Sequence, residues 1–312
     1  MQDIKPMGAL GLPKGQKGID KLESLYKDSN YVSEPKYDGS RYLLNKSLEG
    51  IFLTSRRESV NGGMCEKSAN VPHIINETLD IPNKTILDGE IDIEEGRNFH
   101  YVQGAMGSLP ERAIKTQYEQ QKLYYKVFDI LQFDGENIRQ IPLIKRRELL
   151  KGIFSKYEFE YIKLVPQISS EQNKRKMFSE EIEKGNEGII LKNLSSIYTE
   201  GKKPVNSWYK VKLVNTYDGI VIGYNQGMGK YEGTVGSLIV AQYLNGILTP
   251  VADVGGMTDE MRAEFKLRID NRQKIIIEFK AQEPEVNHRY RHPRFCRVRE
   301  DKNEKECLYA QK

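Results

Sequence analysis

SEPKYDGSR, Ser33 to Arg41, sets four charged side chains, Glu34, Lys36, Asp38 and Arg41, about a single glycine. Two readings are open from this stretch alone. Tyr37-Asp38-Gly39-Ser40 contains a turn dipeptide, and a solvated turn would leave every charge wet. A reactive site would use the same residues differently, with the lysine as nucleophile and the others holding a charged substrate. The rest of the chain has to decide.

With 312 residues, the chain is long for one domain and comfortable for two. It is 38% hydrophobic and 29% charged, which suits a globular protein with a strongly polar surface. No apolar run approaches the ~18 residues of a membrane span, and the start MQDIKPMGALGLPKG lacks the apolar core of a secretory signal. The expectation is an intracellular, cytoplasmic protein (the host's cytoplasm if a phage encodes it) with no membrane partner. Cys65, Cys296 and Cys307 are too few and too scattered for a disulfide framework or a zinc site. His73, His100, His288 and His292 show no metal-ligating spacing, so a pre-built transition-metal site is not expected. Oxygen-ligated magnesium stays open, because it needs only one or two carboxylates plus substrate phosphates.

The net charge of +4 is unevenly placed. From His288 to Lys302, HRYRHPRFCRVREDK sets six basic side chains against two acidic ones, a local +4. Such clusters meet phosphates, or else form a solvated edge strand.

Up to about Leu213 the chain reads as mixed α and β. KTILDGEIDI, KLYYKVFDIL, NEGIILKNL and NSWYKVKLV are short β-prone runs. Helical stretches are expected at Glu111–Gln121, Leu143–Phe154 and Glu171–Lys184, the second opened by Pro142. Beyond Thr216 the composition shifts to Gly, Thr, Tyr and Val. GIVIGY, GSLIVAQYL, ILTPVADV, QKIIIEFKAQE and FCRVRE read as strands, with one helix at Asp259–Ile269. That pattern fits a small OB-type barrel. The expected domains are 1–215 and 216–312. The glycine-rich GYNQGMGKYEGTVGS does not close as a P-loop, since Met228 replaces the second glycine and Tyr231 follows the lysine. Strand turns explain it better.

Several strand-like runs share one design, with polar residues alternating with apolar ones. Asp88, Glu90 and Asp92 oppose Leu87 and Ile91; Lys210 and Lys212 oppose Val211 and Leu213. Arg297, Arg299 and Asp301 oppose Cys296 and Val298, and Glu187 leads a strand whose Gly188 permits close backbone approach. Singly, each is an ordinary half-solvated strand. Together with EPKYDGSR they supply a lysine, metal-binding carboxylates and cations for phosphates.

KYDGSR, SRRE, LDGEI, KVFDIL, EGIILK, WYKVKL and RFCRVREDK follow one another in the order and spacing that resembles the ATP-dependent DNA ligases. These are covalent nucleotidyltransferases, the superfamily that also holds mRNA capping enzymes and RNA ligases. The resemblance runs from about Glu34 to Lys302. It implies an α+β architecture: an adenylation domain of antiparallel sheets flanked by helices, then an OB-fold barrel. It also implies ATP and magnesium as cofactors, with manganese as a substitute, nicked duplex DNA as partner, and a place in DNA replication, repair or recombination.

Carried onto this sequence, Lys36 resembles the nucleophile that becomes a lysyl-adenylate, and Glu34 the residue at the adenine amino group. Phe128 matches the aromatic that stacks on adenine, and Glu90 the carboxylate near the ribose. Arg41 and Arg56 resemble the arginines that hold the nucleotide and the nick phosphate. Glu187 matches the metal-binding carboxylate, with Glu90 and Asp38 as further metal candidates, and Asp38 is also placed for the 3′-hydroxyl. Lys210 and Lys212 resemble the α-phosphate lysines. Arg299, Asp301 and Lys302 match the barrel-borne R-x-D-K that orients the leaving pyrophosphate. Nearby cations disfavour an ammonium, so Lys210, Lys212 and a bound magnesium are the expected means of freeing the Lys36 amine.

Only 33 residues precede Glu34, so the expectation is a monomeric, minimal two-domain ligase of the viral and phage kind. DNA would then be held by the two domains themselves, through Arg41, Arg56, Arg57, Lys202 and Lys203. A capping guanylyltransferase shares K-x-D-G and R-x-D-K and is the nearest rival. An RNA ligase and a catalytically dead nucleic-acid clamp are the others.

Overall fold

The computed structural model describes residues 4–13, 15–58, 64–95, 98–184, 186–213, 215–284 and 287–309, with the side chains of 56–58 and 282–284 outside that description. Two compact units divide the chain, Met1–Lys212 and Leu213–Lys312.

In the first unit a four-stranded sheet runs in the order Leu10–Gly11, Trp208–Lys212, Gly188–Asn193, Tyr31–Pro35. Leu10–Gly11 joins parallel to Trp208–Lys212 and the other pairings are antiparallel. Alternation in these runs buries Ile189, Leu191, Tyr209 and Val211 against Leu25, Tyr26 and Met177 of the helices Gln16–Lys27 and Glu171–Glu183. Ser170 starts the latter helix by accepting from the Asn173 amide.

A second, larger sheet takes the order Met64–Glu66, Ile51–Glu58, Ser40–Lys46, Thr85–Asp92, Tyr124–Phe133, Glu136–Asn137, with Ile162–Leu164 parallel to Tyr124–Phe133. Its core side carries Leu44, Leu53, Leu87, Ile91, Tyr125 and Val127. The helix Leu143–Lys156 is tied to that sheet by a wholly buried ion pair. Arg146 donates Nε and Nη2 to the two carboxylate oxygens of Asp129 at 2.8 and 2.9 Å. Removing one partner of such a pair leaves a buried charge uncompensated and costs about 3–5 kcal/mol.

The second unit is a five-stranded antiparallel sheet in the order Ile247–Val254, Val235–Leu244, Asn215–Gln226, Ile276–Pro284, Tyr290–Val298. A parallel bridge between Gly255 and Arg294 brings its two edges together. The helix Asp259–Asp270, capped by Thr258, lies between the third and fourth strands in sequence and buries Phe265 in the core with Val240, Val254, Ile277 and Phe279. Asn245 and Gly246, both at positive φ, make the two-residue hairpin that joins two of the strands. Among the described residues no helix is long and apolar enough to cross a membrane.

One expected alternation fails locally. The pairing of Ile276–Pro284 with Tyr290–Val298 slips between Glu278/Arg297 and Phe279/Phe295, leaving Cys296 as the extra residue of a bulge. Phe295 rather than Cys296 therefore joins Val298 against the core.

Candidate active site

Register places the charged residues. Glu34 pairs with Ile190 and Val32 with Lys192 across antiparallel strands, which makes Glu34 and Lys192 diagonal neighbours on one face. Their side chains meet as a buried ion pair, Lys192 Nζ to Glu34 Oε2 at 2.6 Å. Gln167 donates to the other oxygen of Glu34 at 2.7 Å. The Lys192 ammonium also lies 4.2 Å from the Phe128 ring centre and 4.1 Å from that of Trp208. Phe128 and Trp208 meet edge to face at 6.2 Å. Sequence reasoning gave no role to Lys192, Gln167 or Trp208.

Immediately after the Tyr31–Pro35 strand, the Lys36 amide donates to the Gly188 carbonyl at 2.9 Å. Gly188 has φ +132°, and a Cβ there would stand 2.2 Å from the Val211 carbonyl oxygen. No side chain fits, so the backbone closes and Glu187 is carried up to both lysines. Its carboxylate lies between Lys36 and Lys212, one oxygen to each ammonium. Burial pushes the Glu187 carboxyl up, but the Lys36 and Lys212 charges outweigh it and hold it at about 2. Lys212 and Lys210 are both pushed down, first by burial and then by neighbouring ammonium groups, Lys36 among them. Lys36, Lys210 and Lys212 thus gather at one place, and Lys203 is near enough for its charge to act on Lys210. Lys202 and Lys203 are exposed.

The larger sheet supplies a second set. Arg41 pairs with Glu90 across the sheet. Burial raises the Glu90 carboxyl to about 8 against the opposing pull of Lys36 and Arg41. Asp38 is close enough to Asp92 and Lys212 for its charge to act on both. Gly39 is required for a different reason from a turn: a Cβ there would lie 2.1 Å from the Ile91 carbonyl oxygen.

Arg41, expected at the nucleotide and the DNA, is engaged within the first unit. Its Nε and Nη2 donate to Asp88 at 2.8 and 2.6 Å, and its Nη1 to the Met7 carbonyl at 2.6 Å. Tyr198 donates to the same Asp88 at 2.7 Å. The Arg41 guanidinium lies 5.1 Å from the Phe128 ring centre. The side chains of Arg56 and Arg57 lie outside the described ones.

In the second unit, Arg299 donates Nε and Nη2 to Asp301, both at 2.8 Å, and Nη1 to Asp218 at 2.8 Å and Glu278 at 3.5 Å. Lys302 pairs with Asp218 at 3.1 Å, and Arg297 with Glu278 at 3.0 Å. The Asp301 bond and the neighbouring carboxylates hold the Arg299 guanidinium above its ordinary range. Much of the positive cluster read from the sequence, Arg289, Arg297, Arg299 and Lys302, is therefore paired in space. Asp218 and Glu278 arrive from other strands, and Asp253 takes Arg289.

For magnesium the donor set is thin but suitable. Among the described residues no group of three His, Cys, Asp or Glu side chains could hold a metal ion. Glu187 is buried beside the lysines with its carboxyl held low, which suits a cation that takes most of its ligands from phosphate and water. Burial raises the Glu90 carboxyl and so weakens it as a metal ligand.

The family model of the ATP dependent DNA ligase domain matches residues 12–212. The chain is 31% identical over 292 residues to the DNA ligase of Methanoculleus marisnigri, covering 86% of this chain and 51% of that protein. It is 32% identical over 312 residues to the DNA ligase of Archaeoglobus fulgidus, covering 91% of this chain and 54% of that one. The chain thus spans about half the length of these curated relatives. Among solved structures, a Lig E DNA ligase superposes with a TM-score of 0.67 at 21% identity, covering 94% of this chain and 100% of that one, a likeness of fold. The chain belongs to the ATP-dependent DNA ligase family.

Proposed function

We propose that the chain seals 3′-hydroxyl/5′-phosphate nicks in duplex DNA with ATP, through a lysyl-AMP intermediate and a DNA-adenylate. The observation that carries this reading is the Lys36–Glu187–Lys212 cluster, a cationic site that bears a nucleophile. The domain reading is 1–215 for adenylation and 216–312 for an OB-fold, supported in the second unit by the strand order and by the Gly255–Arg294 bridge.

Lys36 Nζ forms the P–N bond at the α-phosphorus as the P–O bond to pyrophosphate breaks, and the amine sheds a proton. Glu187 faces that amine in an ion pair, so attack requires Lys36 to leave the carboxylate. Lys210 and Lys212 stabilise the charge that gathers on the phosphate oxygens. Phe128 offers a stacking face for adenine, and Glu34, held by Lys192 and Gln167, presents acceptors to an amino group. Glu187, aided by Asp38 and Glu90, would hold a magnesium ion, which when bound neutralises phosphate charge. In the later steps AMP passes to the 5′-phosphate, and the 3′-hydroxyl attacks to seal the strand and release AMP.

The test is sealing of a singly nicked DNA duplex by purified protein with magnesium and either ATP or GTP, beside an all-RNA nicked duplex. ATP-dependent sealing of DNA is expected. Protein labelling by GTP alone would indicate a capping enzyme, and sealing of RNA alone an RNA ligase. Nick binding without any sealing would indicate a clamp.

A further inference from the structure

We infer that Asp218, assisted by Glu278, is a positioning residue that holds Arg299 and Lys302 away from phosphate until a polyphosphate displaces it. The inference deepens the ligase reading and rests on it for the identity of the phosphate. Neither carboxylate falls in the seven sequence runs, and they come from two different strands of the second unit.

A guanidinium has five N–H donors in a fixed fork. Arg299 gives one from Nε and one from Nη2 to Asp301, and Nη1 contacts Asp218 and Glu278. Both edges that grip a phosphate in bidentate fashion are therefore engaged with carboxylates. Asp218 also uses its second oxygen on Lys302. One side chain thus holds both basic residues of the R-x-D-K run. The Arg299–Asp218 contact is largely shielded, with Arg299 12% and Asp218 17% exposed at the side chain. Three cations, Arg297, Arg299 and Lys302, face three carboxylates, Asp218, Glu278 and Asp301, so the group offers no net charge to an anion. Asp301 belongs to the run itself, whereas Asp218 and Glu278 come from the strands Asn215–Gln226 and Ile276–Pro284, so theirs are the contacts a polyphosphate would replace.

The probe is inorganic pyrophosphate, titrated calorimetrically into the full chain. The near-isosteric pair Asp218→Asn with Glu278→Gln should bind it roughly fivefold more tightly than wild type, the scale of partly exposed ion pairs. Adding Arg299→Ala to that pair should erase the gain. A charge-matched control, Asp253→Asn with Glu304→Gln, removes two carboxylates paired with Arg289 and Lys274 instead, and should show no comparable gain. In adenylate labelling, KM for ATP should fall by a similar factor with kcat held within about twofold. Circular dichroism establishes that each variant folds. No gain in pyrophosphate affinity, or an equal gain in the control, would overturn the inference. A wild-type protein that never labels would sink the ligase reading, and the calorimetry would still decide the role of Asp218.

Discussion

Two charged groups in this molecule use the same residue types to opposite effect. In the first unit Lys36 and Lys212 share the carboxylate of Glu187, with Lys210 alongside. In the second, Arg297, Arg299 and Lys302 are matched by Asp218, Glu278 and Asp301. The first group keeps an excess of positive charge in a half-buried place, where field strength is high and an anion is the natural missing partner. The second is electrically complete and offers its cations only after rearrangement. Motif content alone would rank them equal; partner count separates them.

Neutralising the shared carboxylate should break this contrast most severely. Glu187→Gln leaves the lysines to repel one another and removes a charged metal ligand, so labelling with ATP should fall about 100-fold, on the scale of lost electrostatic preorganisation. The same substitution should change acid stability. A carboxyl held at about 2 in the folded chain contributes stability that is fully present above its usual value near 4.5 and lost as pH falls toward 2. The contribution is about 3 kcal/mol at neutral pH. Urea midpoints measured from pH 6 to pH 2 should therefore fall less steeply for Glu187→Gln than for wild type. Parallel curves would mean that the buried pairings contribute nothing.

At the small end, Arg297→Ala probes the compensated group. Its side chain is 61% exposed, and its pair with Glu278 is of the kind worth little in water. Labelling rate and unfolding midpoint should both stay within about twofold and about 0.5 kcal/mol of wild type. A large loss in labelling alone would move Arg297 into the phosphate-gripping set and blur the contrast.

Much of the fold was legible where local signals agreed. Ile247–Val254 occupies the residues that its β-branched run and the Asn245-Gly246 turn mark out. The helices Glu171–Glu183 and Asp259–Asp270 start where Ser170 and Thr258 can cap them. Gln16–Lys27 and Phe99–Gly107 were not anticipated. The first follows Gly15 and carries Gly18, and the second is short, aromatic and interrupted by Gly104. The Asn98 cap, which accepts from the Tyr101 amide, was the available clue. In the site, Lys36, Glu187, Lys210 and Lys212 stood in the runs that resemble the ligases, and the fold brings them together. The clamp of Lys192 and Gln167 on Glu34 was not legible, because it depends on which strands pair and in what register. Nor could the sequence show that Asp88, Met7 and Tyr198 hydrogen-bond to Arg41.

Peptide mapping by mass spectrometry of the protein incubated with ATP and magnesium, with Lys36→Ala alongside, addresses the central claim most directly. The account predicts an AMP adduct on Lys36 that forms in wild type, is discharged by nicked DNA, and is absent from the variant. An adduct on another residue, or none at all on a folded wild-type protein, would contradict it.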